Sequence, residues 1–115
     1  MYTKKWRKNK MADKTIMLVC ASGMSTSLLV SKMRKAAEEK GVDAEIFAVS
    51  ASDVDANLAA KDVDILLLGP QVKYMLKEFQ AKLADTNVKV DVINMQDYGM
   101  MKGEKVLTEA LAAIA

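Results

Sequence analysis

This 115-residue sequence predicts an α/β domain, a four-stranded parallel sheet with helices on both faces. Three observations predict it. Four short apolar runs have strand length and β-branched content: Thr15 to Cys20, Ala44 to Val49, Asp64 to Leu68 and Val88 to Ile93. Each is followed by a stretch of helical period, so strand and helix alternate and right-handed crossovers generate a parallel sheet. Hydrophobic residues at 51% of the chain supply the core that one domain of this size needs.

The first run, Ile16-Met17-Leu18-Val19, is continuously apolar and reads as a strand buried on both sides. After it Leu28, Leu29, Met33, Ala36 and Ala37 recur at helical spacing, and Gly41 follows Glu38-Glu39-Lys40 as a C-cap. A shorter helix starts near Ser52 and carries Val54, Leu58 and Ala59. The third strand, Ile65 to Leu68 at its centre, leads through Gly69-Pro70-Gln71 to a helix from Val72 to Leu83 with Leu76, Phe79 and Leu83 on one face. Beyond the fourth strand lies a loop with Met95, Asp97, Tyr98, Met100 and Met101. The last helix then runs from Glu104 to Ala113, with Val106, Leu107, Ala110 and Leu111 inward. With the strands ordered 2-1-3-4, the sheet reverses direction between strands one and three. Open α/β sheets bind ligands outside the carboxyl ends of strands at such a point, where the loops after Val19 and Leu68 meet.

Composition removes several kinds of chemistry. The chain has no histidine, so a Ser-His-Asp triad, a Cys-His dyad and a His-ligated metal are unavailable within it. Its single cysteine, Cys20, rules out an internal disulfide and a multi-cysteine metal site. No cofactor and no metal are expected. The formal net charge of +2 is carried by Lys4, Lys5, Arg7, Lys8 and Lys10; without them 12 basic residues face 15 acidic ones. Nothing beyond them forms the basic stripe that a nucleic-acid backbone requires. Residues 1–12 read as a disordered basic leader or tag remnant, and residues 13–115 as a single domain. The apolar run ending at Cys20 is too short for a secretory signal or a membrane span, so a soluble, cytoplasmic protein with no membrane insertion is expected.

Chemistry concentrates in Cys20-Ala21-Ser22-Gly23-Met24-Ser25-Thr26-Ser27, which joins the first strand to the first helix. A cysteine at a strand end there faces backbone N–H groups of the loop and of the first helical turn. Such a nest holds an anion, either a thiolate or the oxygens of a phosphoryl group on sulfur. Gly23 permits close backbone approach, and Ser22, Ser25, Thr26 and Ser27 add hydroxyl donors. The loop lacks both G-x-x-x-x-G-K-[ST] and G-x-G-x-x-G. A blander reading makes Cys20 a small buried residue that ends a strand, with Ser25 or Thr26 as an N-cap.

CASGMSTSLLVSKM resembles the phosphocysteine loop of the enzyme IIB component of the lactose/cellobiose class of the phosphoenolpyruvate-dependent sugar phosphotransferase system. LLLGPQVKYML, residues 66–76, is similar to that family's segment after strand three, and Tyr98-Gly99 fits its last active-face loop. The resemblance covers about Lys14 to Ile114. It implies a phosphoryl relay in which Cys20 accepts a phosphoryl group from a phosphohistidine of enzyme IIA. Cys20 then passes it to a disaccharide bound by the membrane enzyme IIC. In that picture Ala21, Ser22, Gly23, Met24, Ser25, Thr26 and Ser27 cradle the phosphate, while Gln71, Tyr74, Tyr98 and Met100 face partners. Cellobiose, chitobiose and lactose all remain open as the sugar.

Two rival readings deserve statement. Low-molecular-weight cysteine phosphatases share this sheet order and carry a C-x5-R-[ST] loop. Counting from Cys20, Thr26 stands where that arginine would be, which removes the bidentate clamp on the equatorial oxygens. Asp97 lies where such enzymes place a general acid, although it reads first as a solvated loop carboxylate. The other rival is a binding module whose loop merely holds an anion. Met24, Met95, Met100 and Met101, read as loop residues on the Cys20 edge, supply flexible apolar contact for two unlike partners, or fill gaps beneath long loops.

Overall fold

The computed structural model describes residues 14–20 and 27–114. Four strands form one parallel sheet in the order β2-β1-β3-β4: β1 is Lys14–Cys20, β2 Ala44–Ser50, β3 Ile65–Leu68 and β4 Lys89–Val92. The helices are α1 (Ser27–Lys40), α2 (Val54–Ala60), α3 (Leu76–Lys82), α4 (Met95–Gly99) and α5 (Gly103–Ala113). Single 3-10 segments lead into α2 (Ala51–Asp53) and α3 (Pro70–Met75).

Period-two alternation along β1 divides the core between two faces. Ile16 and Leu18 point to the face covered by α1 and α5, where they meet Leu29, Met33, Val106 and Leu107. Met17 and Val19 point to the other face, against Val54 of α2 and Phe79 of α3. Ile16, Met17, Leu18, Leu29, Met33 and Leu107 are fully buried, each worth roughly 1.5–3 kcal/mol relative to exposure. Lateral neighbours on both sides and helices on both faces explain why β1 reads as an unbroken apolar run.

The ends of α1 follow from its sequence. Gly41 adopts φ +69°, its N–H donates to the Glu38 carbonyl, and the Val42 N–H donates to the Ala37 carbonyl at 2.9 Å. That pair of bonds is a Schellman stop, and it aims the chain into β2. On the free side of β2, the Arg34 Nε of α1 donates to the Ile46 carbonyl at 2.7 Å.

Two expectations change, and one open choice is decided. The third helix does not start at Val72, whose dihedrals (φ −119°, ψ 20°) break the helix; Pro70 opens a 3-10 segment and α3 proper begins at Leu76. The segment after β4 is not all loop. Asn94 caps a single helical turn there by accepting from the Gln96 N–H at 2.9 Å and the Asp97 N–H at 3.1 Å. Finally, the choice left open for Met101 closes on gap-filling, since it packs partly buried against the α1/α5 core, at a φ of 55°.

Candidate functional site

Cys20 ends the central strand at the point where the sheet changes direction, in register with Ser50 at the end of β2. Its residue parity puts it on the α1/α5 face. The side chain is 1% exposed and its thiol donates to the Val49 carbonyl at 4.0 Å. A cysteine that merely finished the strand would be buried equally well, so position rather than exposure marks it. Ser27 is the first residue of α1 and is exposed. The rest of the expected cradle, Ala21 to Thr26, lies outside the described residues, as does the leader.

Across the switch point, the Gly69 N–H donates to the Val19 carbonyl at 2.8 Å, next to Cys20. A Cβ at Gly69 would stand 3.1 Å from Gln71 Oε1, 3.4 Å from the Val19 carbonyl oxygen and 3.7 Å from Tyr98 Cε2. Two expected site residues, Gln71 and Tyr98, thus converge on Gly69 beside the strand that carries Cys20. Tyr98 is buried against the α1/α5 core. Tyr74 and Met100 do not join that cluster. They are 79% and 61% exposed, and with Leu28 and Met95 they follow the carboxyl ends of β1, β3 and β4.

Asp97 is corrected. It is not a solvated loop carboxylate but a buried one, 2% exposed, whose Oδ1 lies 3.3 Å from Lys105 Nζ of α5. The reason is the Asn94 cap, which coils the chain and turns this position inward over α5, where a lysine meets it. The only sequence signal for α4 was an asparagine at the right distance from a strand end, and one turn has no period to read. A hydroxyl and carboxylate group at the end of β2 also escaped notice. Ser50 Oγ donates to Asp53 Oδ2 at 2.9 Å and lies 3.1 Å from Ser52 Oγ, in the row beside Cys20. The run Ser-Ala-Ser-Asp was its available cue.

Among the described residues no three His, Cys, Asp or Glu side chains gather as metal ligands would, and no helix is long and apolar enough to cross a membrane. Residues 15–109 match the family described as the PTS system, lactose/cellobiose specific IIB subunit. The chain belongs to that family. A galactose-specific EIIB component of the PTS from Lactococcus lactis subsp. cremoris (strain MG1363) is 59% identical over 103 residues, covering 87% of this chain and 95% of that protein. A cellobiose-specific EIIB component from Lactococcus lactis subsp. lactis (strain IL1403) is 58% identical over the same length and shares. The solution structure of a cellobiose-specific IIB component from Borrelia burgdorferi superposes with a TM-score of 0.71 at 36% identity, covering 88% of this chain and 91% of that one. A lactose-specific IIB domain from Streptococcus pneumoniae, 16% identical, has the same fold at a TM-score of 0.74 over 86% of this chain and 95% of that one. As a IIB component the chain is a phosphoryl-carrying part of a sugar phosphotransferase system, and its fold is the one shared with low-molecular-weight cysteine phosphatases.

Proposed function

We propose that Cys20 is the atom on which this IIB component carries its phosphoryl group. The Cys20 thiolate attacks the phosphorus of a phosphohistidine on enzyme IIA; the S–P bond forms as the N–P bond breaks, and the imidazole keeps the electron pair. A hydroxyl of the sugar held by membrane enzyme IIC then attacks phosphorus. The O–P bond forms, the thiolate leaves, and the hydroxyl proton goes to solvent. Phosphoryl transfer demands little covalent chemistry from the protein beyond positioning and charge stabilisation. Main-chain amides of Ala21 to Ser27 with the hydroxyls of Ser22, Ser25, Thr26 and Ser27 are proposed to supply both. The setting is the cytoplasm.

One observation carries this reading: the chain's single cysteine ends the central strand at the switch point, one residue past Val19, whose carbonyl accepts from Gly69 where Gln71 and Tyr98 converge. Leu28, Tyr74, Met95 and Met100 suit a face that docks two unlike partners in turn. The sugar is proposed to be a β-linked disaccharide or a related galactoside. Two relatives of nearly equal identity are named for different sugars, which supports leaving that choice to enzyme IIC. Hydrolysis is disfavoured. Thr26 replaces the phosphatase arginine, and Asp97 is engaged with Lys105.

Mass spectrometry after exposure to phosphorylated enzyme IIA tests the proposal. A single added phosphoryl group, absent in Cys20→Ser, is expected. Labelling that survives Cys20→Ser overturns it, as does rapid aryl phosphate hydrolysis abolished by Asp97→Asn.

A further inference from the structure

Between α1 and the start of α5 lies an open groove of about 450 Å³, lined by Lys32, Lys35, Lys102 and Lys105 with Glu39 and Glu104. The cationic groups dominate it. Glu104 is already paired with Lys40 at 3.2 Å, and Lys105 is held by the buried Asp97. Among the described residues Lys32, Lys35 and Lys102 have no ion-pair partner. This concentration of positive charge stands on a chain that is net acidic beyond its first ten residues.

The groove's shape comes from Gly103. A Cβ there would lie 2.6 Å from Lys32 Cβ, 2.7 Å from the Lys32 carbonyl carbon and 2.8 Å from the Met33 nitrogen. The two helices therefore touch main chain to main chain, and the lysines of each form the two rims. The groove runs along α1 from Lys32 to Glu39, and Lys32 is its α1 residue nearest the Cys20 edge. Its α5 rim begins where α4 ends, after the carboxyl end of β4, and Lys32 stands five residues along α1 from Ser27, roughly 7.5 Å of helix.

We infer that this groove docks a carboxylate-rich segment of the phosphoryl donor, enzyme IIA, an inference that rests on the relay proposed above. Charge chooses between the relay's two partners. Cytoplasmic loops of membrane proteins carry an excess of Lys and Arg, which these rims repel, whereas acidic side chains of a donor protein are drawn in. Exposed pairs of this kind add little affinity, but they raise encounter rates by 10–10³-fold in an ionic-strength-dependent way, on the order expected for charge steering.

The test is the second-order rate of phosphoryl transfer from phosphorylated enzyme IIA to wild type and to Lys32→Glu/Lys35→Glu/Lys102→Glu, at about 20 mM and about 500 mM salt. At low salt the reversed triple should react at least about tenfold more slowly. The gap should close at high salt, and the rate at saturating donor should stay unchanged. The Lys→Arg triple should behave as wild type, and a Lys→Gln triple, which introduces no repulsion, should fall between them should the reversal impair folding. Equal low-salt rates for wild type and the Glu and Gln triples overturn the inference while the relay stands. A wild type that never gains a phosphoryl group on Cys20 overturns both. Cosedimentation with phosphatidylglycerol vesicles that the reversal abolishes, with transfer from enzyme IIA unaffected, assigns the groove to lipid headgroups and likewise overturns it.

Discussion

At the amino end of the sheet, Asp64 ties the strands together. Its Oδ2 accepts from the Thr15 N–H at 2.7 Å, its own N–H donates to the Thr15 carbonyl at 2.9 Å, and its carbonyl accepts from the Lys89 N–H at 3.1 Å. At the carboxyl end the strands are joined as tightly, by Gly69 to Val19 and by Ile93 to Leu68, each at 2.8 Å. Yet Leu28, Tyr74, Met95 and Met100, the large hydrophobic residues left exposed among the described residues, all lie past that end. Main-chain bonding does not distinguish the two ends. The difference lies in apolar side chains left without cover, and a fold has no reason of its own to gather them at one end.

The largest effect would show that the carboxyl end is not simply loose. Gly103→Ala forces a Cβ into the α1 main chain, and urea denaturation should register a loss of up to about 3 kcal/mol, the upper range for overpacking. Asp64→Ala probes the opposite end. It strips a buried N–H of its acceptor and should cost about 2 kcal/mol, while phosphoryl acceptance by the folded fraction stays at the wild-type rate. A comparable loss of transfer rate would erase the contrast between the ends.

Asn94→Ala removes the cap of α4 and should cost about 1 kcal/mol. Because α4 carries Tyr98 to Gly69, this variant should also slow transfer, a split that stability and kinetics measured side by side would reveal. The smallest change in stability belongs to Met95→Ala with Met100→Ala, within about 0.5 kcal/mol. Their mark should instead be weaker saturation with enzyme IIA or IIC. Unaltered saturation kinetics would reduce these methionines to ordinary surface.

What the sequence disclosed followed the length of each signal. β1 and β3 were plain because a strand flanked on both sides and covered on both faces carries a continuous apolar run, Ile16 to Cys20 in one and Ile65 to Leu68 in the other. α1 announced itself by Leu29, Met33, Ala36 and Ala37 at helical period and a glycine stop, although Leu28, read with them, is exposed and Val30 is buried instead. α4 had one turn and no period. The fate of Asp97 was hidden for a related reason: its burial depends on Lys105, eight residues on and brought near only by the corner at Met101. Cys20 is a candidate read from its neighbours in the chain, whereas the approach of Gln71 and Tyr98 to Gly69 depends on strand order.

Arg34 has a consequence for the behaviour of many copies together. A parallel sheet that ends in a strand as apolar as β2 offers its outer carbonyls to any extended segment that drifts past. The guanidinium already occupying the Ile46 oxygen spoils that template at its middle. Copies of the protein are thereby kept from growing onto one another through that edge.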